Sequence, residues 1–433
     1  MATVETAPPL LPPAPAHRDA NVLRWLTAYT ASLVGDSVYF LALGWSAQKT
    51  AGPTEVGMVM AAGALPRAVL MLGGGVAADR FDPRRVILGS DTVRCLLILA
   101  AAVAVAVTAP ALWLLAAVAV VFGAVDALFV PAVGALPPRI TGADQLARVA
   151  GLRSLVMRVS QVAGPPLGGL AMGLGGPAVA FALAGLLFAV SLPLLLAVRL
   201  HRLDAPSEPS EPSEPSGPSD RREQQAQGRV EARGELLDGL RYIRRHPLIG
   251  PLVAAGAVSE LGLSGILNVG LVLLNAERGW GASGYGWIVA CFGAGAAAGA
   301  ALVAVAGWLP RPGLTMAATL AAGSVGAAAM ASVPSLGAAA LLGALVGLGA
   351  GVFGSLDSAL IQTAADPAYL GRVTSVAMLT MVGLAPLSYP VVGAAVGVWG
   401  AAPVFAGCGG LACLGAALAF ASRAVRRAEL PRR

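Results

Sequence analysis

Residues 75–85 read Gly-Val-Ala-Ala-Asp-Arg-Phe-Asp-Pro-Arg-Arg and lie between two apolar stretches. An acid follows the glycine by four positions, and three arginines fall within the next six. The residues that carry this pattern are Gly75, Asp79, Arg80, Arg84 and Arg85. Because charges gather here between two apolar runs, we expect a short charged loop at which a membrane span turns round.

The composition of the whole chain indicates a membrane protein. Of 433 residues, 57% are hydrophobic and 12% are charged, whereas soluble domains have about 25% charged residues. A helix needs about 20 apolar residues to cross the hydrocarbon core. Twelve stretches qualify: 22–47, 54–77, 85–107, 112–135, 147–172, 178–199, 248–274, 283–308, 314–333, 336–361, 371–397 and 401–423. Since these runs do not alternate at period 2, we expect an all-α integral membrane protein with twelve transmembrane helices.

The placement of the basic residues predicts the orientation. With both termini in the cytoplasm, the cytoplasmic segments hold 23 Lys and Arg, and the external loops hold two, Lys49 and Arg278. This asymmetry follows the positive-inside rule. We therefore expect a multi-pass protein of the bacterial inner membrane whose net charge reports topology and does not indicate nucleic-acid binding.

The sequence lacks the residues that several classes of function require. Lys49 is the only lysine and follows Gln48, so the chain has no Gly-Lys-Ser/Thr phosphate loop for ATP. The three histidines lie outside the spans, and the four cysteines lie inside them without zinc spacing. We expect no enzyme activity, no metal site and no cofactor.

The chain contains an internal repeat. A shift of 224 residues aligns the first six spans with the last six and places Asp36 on Glu260. Residues 121–126 match 352–357 better, at a shift of 231, so the alignment of spans 4 and 10 stays open. Internal repeats of this kind are typical of secondary transporters.

The repeat predicts two six-helix, pseudo-symmetric bundles joined by a linker. The linker contains a Ser-Glu-Pro tract from Ser207 to Ser216, which cannot bury a core. After it, leucines at helical spacing among arginines predict a short helix on the inner membrane surface. The predicted segments are a disordered cytoplasmic terminus (1–21), a first bundle (22–199), a cytoplasmic linker (200–247), a second bundle (248–423) and a basic cytoplasmic tail (424–433).

The 75–85 loop resembles the loop between spans 2 and 3 of the major facilitator superfamily. That motif reads Gly-x-x-x-Asp-Arg-x-Gly-x-Arg-Arg, and Asp82 here replaces its second glycine. Residues 235–247 resemble the lead-in to span 7 in the enterobactin-exporter and macrolide-efflux branch, and the resemblance covers about residues 22–423. It implies two bundles that rock about a central cavity, with Asp79 meeting the start of span 11 at Gly371 and Arg372 to hold the cytoplasmic side closed.

Span 5 resembles the antiporter motif of proton-coupled drug exporters. The matching residues are Gly151, Gly164, Pro165, Gly168 and Gly169, with Ser160 in place of one glycine. The resemblance implies export in preference to uptake. The alternative is ordinary close packing of a glycine-rich helix.

Charged residues inside the spans are the functional candidates, because insertion of each costs about 2.5–3.5 kcal/mol. Asp36 and Glu260 are related by the repeat, and we expect both to face a midplane cavity as sites for proton coupling or substrate contact. A carboxyl group in apolar surroundings can take up and release a proton near neutral pH. The alternative for Asp36 is a structural ion pair with an arginine such as Arg67, which either neutralises a carboxylate or binds an anionic substrate group.

Five further charges are expected nearer the cytoplasm. Asp126, Asp357, Arg153, Arg158 and Arg372 would form a cytoplasmic gate network. Asp91 and Arg94, three apart on span 3, can pair with each other.

The sequence therefore predicts a secondary transporter that exports a hydrophobic or amphipathic small molecule, such as a drug or antibiotic, in exchange for protons. Its expected partners are the lipid bilayer, that small molecule and protons, without ATP or nucleic acid. A dedicated exporter of an endogenous siderophore or secondary metabolite, an uptake symporter, and a non-transporting membrane sensor or scaffold remain as alternatives.

Overall fold

A computed structural model describes residues 17–80, 82–108, 111–200, 238–307, 310–367 and 369–429, with the backbone alone for residues 72–80 and 143. The helices are α1 (Ala20–Thr50), α2 (Pro53–Arg80), α3 (Pro83–Val107), α4 (Leu112–Ala135), α5 (Leu146–Leu196), α6 (238–245), α7 (Ile249–Glu277), α8 (Gly281–Ala306), α9 (Pro312–Ala329), α10 (Leu336–Ala364), α11 (Leu370–Trp399), α12 (Ala401–Ala421) and α13 (Arg423–Arg426). The predicted disordered N-terminus and the Ser-Glu-Pro tract fall largely at 1–16 and 201–237, outside the described residues.

Local sequence signals explain where several helices begin and end. The Asp19 side chain caps α1 by accepting a hydrogen bond from the backbone N–H of Asn21 at 2.7 Å. Pro83 and Pro312 open α3 and α9, where the missing N–H costs nothing. Gly400, with φ of 78°, ends α11 in a conformation that favours glycine.

Ten helices of the described residues are long and apolar enough to cross a membrane. One of them, α5, has 51 residues and would measure about 77 Å if straight, more than twice a hydrocarbon core of about 30 Å. It breaks at Gly175 and Gly176, the latter with φ of 71°, just before Pro177. With α5 crossing twice and the 18-residue α9 included, the helices are consistent with the twelve predicted crossings.

The predicted loop at residues 75–85 is shorter than expected. The backbone of residues 75–80 continues α2 as far as Arg80, and α3 begins at Pro83. Ala77 and Ala78 favour helix strongly, and no proline interrupts the run before Pro83. Two residues therefore separate these helices, and the structure describes one of them, Asp82.

The packing of the helices follows the 224-residue repeat. In the first half, α2 packs on α4 and α3 on α5; in the second half, α8 packs on α10 and α9 on α12. A Cβ atom on Gly123 of α4 would meet the carbonyl oxygen of Gly63, and one on Gly347 of α10 would meet that of Phe292. Gly354, which the shift of 231 would match to Gly123, has no neighbour within 4 Å. Gly123 and Gly347 are 224 residues apart, but their partners Gly63 and Phe292 are 229 apart, so these contacts do not select one shift for α4 and α10.

The two halves meet through α2 with α11 and through α5 with α8. We call the side at which α1 begins the terminus side. On the opposite side, a Cβ atom on Gly57 would overlap the carbonyl oxygen of Tyr389, and one on Gly286 would lie 2.6 Å from that of Pro165. Bare backbone thus holds the halves together there, because no side chain fits between them.

The short helix α6 rests against the start of α11. Tyr242 stacks on Tyr369 with ring centroids 4.5 Å apart, and its hydroxyl oxygen accepts a hydrogen bond from the backbone N–H of Asp366 at 3.1 Å. The side chains of Arg244 and Arg245 are exposed. The helix expected before span 7 is therefore present and is tied to the second half.

Candidate functional site

A buried network of charges joins α1, α2, α3 and α4. Arg94 lies at its centre, with Nη1 3.1 Å from Asp36 Oδ1 and Nη2 3.5 Å from Asp126 Oδ1. Nη1 is also 3.9 Å from Asp91 Oδ1. Arg67 joins from α2, its Nε 2.9 Å from Asp126 Oδ2. We call these five residues the N-half network.

Arg94 is held by aromatic rings as well as by carboxylates. Its side chain is completely buried, and its guanidinium carbon lies 3.8 Å from the ring centroid of Phe129 and 5.6 Å from those of Phe122 and Phe188. Rings at these distances attract a cation through their quadrupoles. Arg94 is therefore fixed in place.

Asp91 is the most constrained acid of the network. Its Oδ2 accepts hydrogen bonds from Ser32 Oγ at 2.7 Å and Ser191 Oγ at 2.5 Å. Ser191 belongs to the second arm of α5, so these bonds tie α1, α3 and α5 together. The expected pairing of Asp91 with Arg94 is the longest contact of the set, because the two serines hold the carboxylate.

The N-half network contains one more acid than it has bases. Three carboxylates face two guanidinium groups, which leaves one negative charge or one proton to be accommodated. The Asp36 side chain is 16% exposed, against 0% for Asp91 and 5% for Asp126. Asp36 is therefore the acid that water reaches most easily.

Arg67 connects the network to the second half. Its side chain is 36% exposed and lines a small cavity of about 130 Å³ together with Asn268 of α7 and Tyr389 of α11. Asn268 also lines the much larger cavity of the second half. One residue therefore separates the Arg67–Asp126 ion pair from that larger cavity.

The larger cavity, here called the C-half cavity, has a volume of about 590 Å³. It runs from the middle of α7 toward the terminus side, between α7, α8, α9, α10 and α11. Its charged lining residues are Glu260 of α7, Asp357 of α10 and Arg158 of α5. Ser264, one helical turn after Glu260, also lines the cavity. Most of the other lining residues are apolar, among them Phe292 and Phe353.

Asp36 and Glu260 are related by the repeat but lie in different surroundings. Glu260 lines the C-half cavity, as expected. Asp36 lies behind the cavity walls in the N-half network, paired with Arg94 and not with Arg67. The repeat equates the two positions, but only the first half supplies arginines around its acid.

The expected cytoplasmic gate network does not come together. Asp126 joins the N-half network, whereas Asp357 lines the C-half cavity. Arg153 lies beside Tyr29, Arg158 lines the C-half cavity, and the guanidinium carbon of Arg372 lies 5.5 Å from the ring centroid of Tyr369.

The motif-like glycines of α5 differ in what they contact. A Cβ atom on Gly164 would overlap Ser37 of α1, and one on Gly168 would lie 3.3 Å from the Cα atom of Val38. On Gly169 it would lie 2.9 Å from the Cα atom of Ser283 in α8. These contacts make the segment a seam between α5 and two neighbouring helices.

The remaining motif positions contribute less to that seam. A Cβ atom on Gly151 would have no neighbour within 4 Å. Ser160 is 2% exposed, and its hydroxyl has no hydrogen-bond partner among the described residues. The carbonyl oxygen of Pro165 faces Gly286 of α8.

The charged turn after α2 is pinned by its later residues. Asp82, which replaces the motif glycine, has Oδ1 2.8 Å from Arg139 Nη1. Arg84 donates from Nη2 to the carbonyl oxygen of Leu196 at 2.6 Å, and Arg85 is exposed. The structure describes only the backbone of Gly75, Asp79 and Arg80. The expected contact of Asp79 with α11 therefore lies outside what is described.

Two features of the site escaped sequence reasoning. The central position of Arg94 depends on helix rotations that bring residues 58 apart in sequence into contact. Tyr389 carried no signal beyond being a polar aromatic residue within a span. Within the described part of the chain, no group of three or more His, Cys, Asp and Glu residues could hold a metal ion.

Comparison with known proteins places the chain among transporters. The family model of the Major Facilitator Superfamily matches residues 25–387. Enterobactin exporter EntS of Escherichia coli O127:H6 is 26% identical over 379 residues, which cover 84% of this chain and 81% of EntS. The uncharacterized MFS-type transporter YfiS of Bacillus subtilis is 25% identical over 285 residues, and the matched part spans 64% of this chain and 61% of YfiS.

Solved structures share the fold at low sequence identity. A POT family transporter in complex with 5-aminolevulinic acid superposes with a TM-score of 0.71 at 13% identity, covering 94% of this chain and 96% of that one. A bacterial homolog of the human lysosomal transporter Spinster, in an inward-facing and occupied conformation, gives 0.70 at 14% identity, covering 95% and 97%. These likenesses confirm the predicted fold class.

Proposed function

The chain belongs to the major facilitator superfamily, and we propose that it exports a hydrophobic or amphipathic small molecule in exchange for protons. The N-half network carries this proposal, since it buries three carboxylates against two arginines. A surplus carboxylate in an apolar interior is stabilised when it holds a proton. Asp36, the most accessible of the three, is the proposed site of proton exchange.

The C-half cavity is the proposed substrate site. Its volume of about 590 Å³ falls within the range of small-molecule pockets, about 300–1,000 Å³, and such pockets are lined mainly by apolar side chains. Most of the described lining residues are apolar, which suits a hydrophobic or amphipathic substrate. Contact between the two sites would pass through Arg67 and Asn268, which line the same small cavity.

The charge asymmetry supports a direction of transport. If the terminus side faces the cytoplasm, as the placement of basic residues along the sequence predicts, the C-half cavity extends toward the cytoplasm. Tight backbone contacts between the halves lie on the other side. This arrangement suits loading from the cytoplasm, in a bacterial inner membrane with both termini inside.

Inside-out vesicles with an imposed pH gradient test the proposal. An acidic lumen should drive accumulation of compounds from a panel of dyes, antibiotics and siderophores. Asp36→Asn should abolish this gradient-driven accumulation, whereas Asp238→Asn, the same change on the exposed helix α6, should leave it at the wild-type level. Unchanged accumulation by Asp36→Asn would count against proton exchange at Asp36.

The same assay separates the other functions. Gradient-driven loss of compound from the lumen would indicate uptake symport, and no response from any compound would favour a sensor or scaffold. Export of one endogenous siderophore is the second candidate, because enterobactin exporters are 26% identical over 84% of this chain. Accumulation of enterobactin alone from the panel would support it.

A further inference from the structure

The acids of the two halves differ in whether an arginine lies within ion-pair distance of them. Every carboxylate of the N-half network lies within 4 Å of an arginine nitrogen. Among the described residues, no ion pair includes Glu260 or Asp357. Both acids line the C-half cavity without a cation in contact.

The charge balance of the C-half cavity leaves room for one positive charge. Of the residues that the structure describes, Arg158 is the only basic one in its lining, and no ion pair joins its guanidinium group to either acid. Two carboxylates and one guanidinium give a formal charge of −1. A bound monovalent cation would make the cavity neutral.

The rest of the lining suits a hydrophobic body. Leu263 and Met381 contribute aliphatic surface, and Phe292 and Phe353 contribute aromatic rings. A carboxylate among such groups is costly unless a counter-charge accompanies it. A cation over a phenyl ring is attracted by the ring quadrupole.

From these features we propose that the C-half cavity binds a monovalent organic cation with a hydrophobic body, with Glu260 and Asp357 facing its charge. The inference names the substrate class of the proposed exporter and rests on that function for its physiological meaning. A hydrophobic anion of the same size meets two carboxylates in the same space and is rejected. Asn268 lines both this cavity and the small cavity that Arg67 lines.

Binding of two ions of matched size and shape tests this assignment. Tetraphenylphosphonium is a hydrophobic cation, and tetraphenylborate is an anion of the same architecture. Equilibrium dialysis with purified full-length protein in detergent, at a fixed pH and against protein-free micelles, should give saturable binding of one tetraphenylphosphonium per chain and no saturable binding of tetraphenylborate. This comparison uses the wild-type protein, so it does not depend on how any variant folds.

Variants then locate the site. Glu260→Gln and Asp357→Asn should each weaken tetraphenylphosphonium binding about tenfold, which corresponds to about 1.4 kcal/mol. Asp238→Asn on α6 should bind as the wild type does. Saturable binding of both ions, absence of tetraphenylphosphonium binding, or full affinity in the Glu260→Gln, Asp357→Asn double variant would each overturn the assignment.

Failure of this inference is distinguishable from failure of the export function. Saturable tetraphenylphosphonium binding together with no gradient-driven transport of any compound would keep the site and remove the proposed exchange with protons. Gradient-driven transport of neutral compounds without tetraphenylphosphonium binding would keep the exchange and remove the cation site.

Discussion

Arg94→Met is the most direct test of the N-half network. Methionine keeps the length and apolar stem of the side chain but removes the charge. The guanidinium group that it removes lies within 4 Å of three carboxylates and is completely buried. Removal of one partner from a buried ion pair costs about 3–5 kcal/mol, because the other charge is left uncompensated. We expect the free energy of unfolding to fall by about that amount.

Arg67→Met is the matched control. Its guanidinium group pairs with Asp126 alone and its side chain is 36% exposed, so solvent screening should limit the loss to about 1 kcal/mol or less. Thermal unfolding in detergent, followed by a thiol-reactive dye that reports exposure of the four cysteines, compares both variants with the wild type.

The pH dependence of the free energy of unfolding provides a second test of the role of Arg94. With Arg94 absent, three acids face one arginine, and falling pH protonates the surplus carboxylates and removes their repulsion. The stability gap between Arg94→Met and the wild type should therefore narrow from pH 8 to pH 5. A loss no larger than that of Arg67→Met, or a gap that is constant over this range, would refute the role given to Arg94.

Two further predictions concern close packing. Gly164→Leu should lower the free energy of unfolding by about 1–3 kcal/mol, because its side chain overlaps α1. Gly151→Ala, with no neighbour within 4 Å, should be neutral or stabilising by up to about 1 kcal/mol in the same thermal assay, and equal losses would contradict this difference. Gly57→Val should separate the halves on the side opposite the termini, which should appear as longer distances between spin labels on α2 and α11. The control is Gly407→Val, which should leave these distances unchanged because Gly407 has no neighbour within 4 Å. Unaltered distances in Gly57→Val would argue against the contact.

Much of the fold follows from patterns that a sequence carries directly. Hydropathy predicted a boundary between residues 172 and 178, and the chain breaks at Gly175 and Gly176. The 224-residue shift predicted two similar halves, and the helices pack accordingly. The extent of the turn after α2 was wrong because helix propensity carries the chain on to Arg80.

The candidate site was less accessible to sequence reasoning. A charged residue within an apolar span is visible in the sequence, so Asp36, Arg67 and Asp126 were predicted as candidates. Their partners depend on how each helix is rotated about its axis, which a single sequence does not specify. Helical spacing suggested that Arg94 pairs with Asp91 on the same helix. Ser32 and Ser191 compete for that carboxylate, so Arg94 turns to acids on other helices.

The strength of the contact between the halves on the side opposite the termini depends on bare backbone and not on charged side chains. At Gly57 against Tyr389 and Gly286 against Pro165, the touching groups are peptide units without ionic groups. Dissolved salt has no charge there to screen, so ionic strength leaves the strength of this closure unaltered. A single added methyl group changes it directly. The strength of this closure can thus change through exchanges of glycine for alanine while every charged residue of the N-half network stays the same.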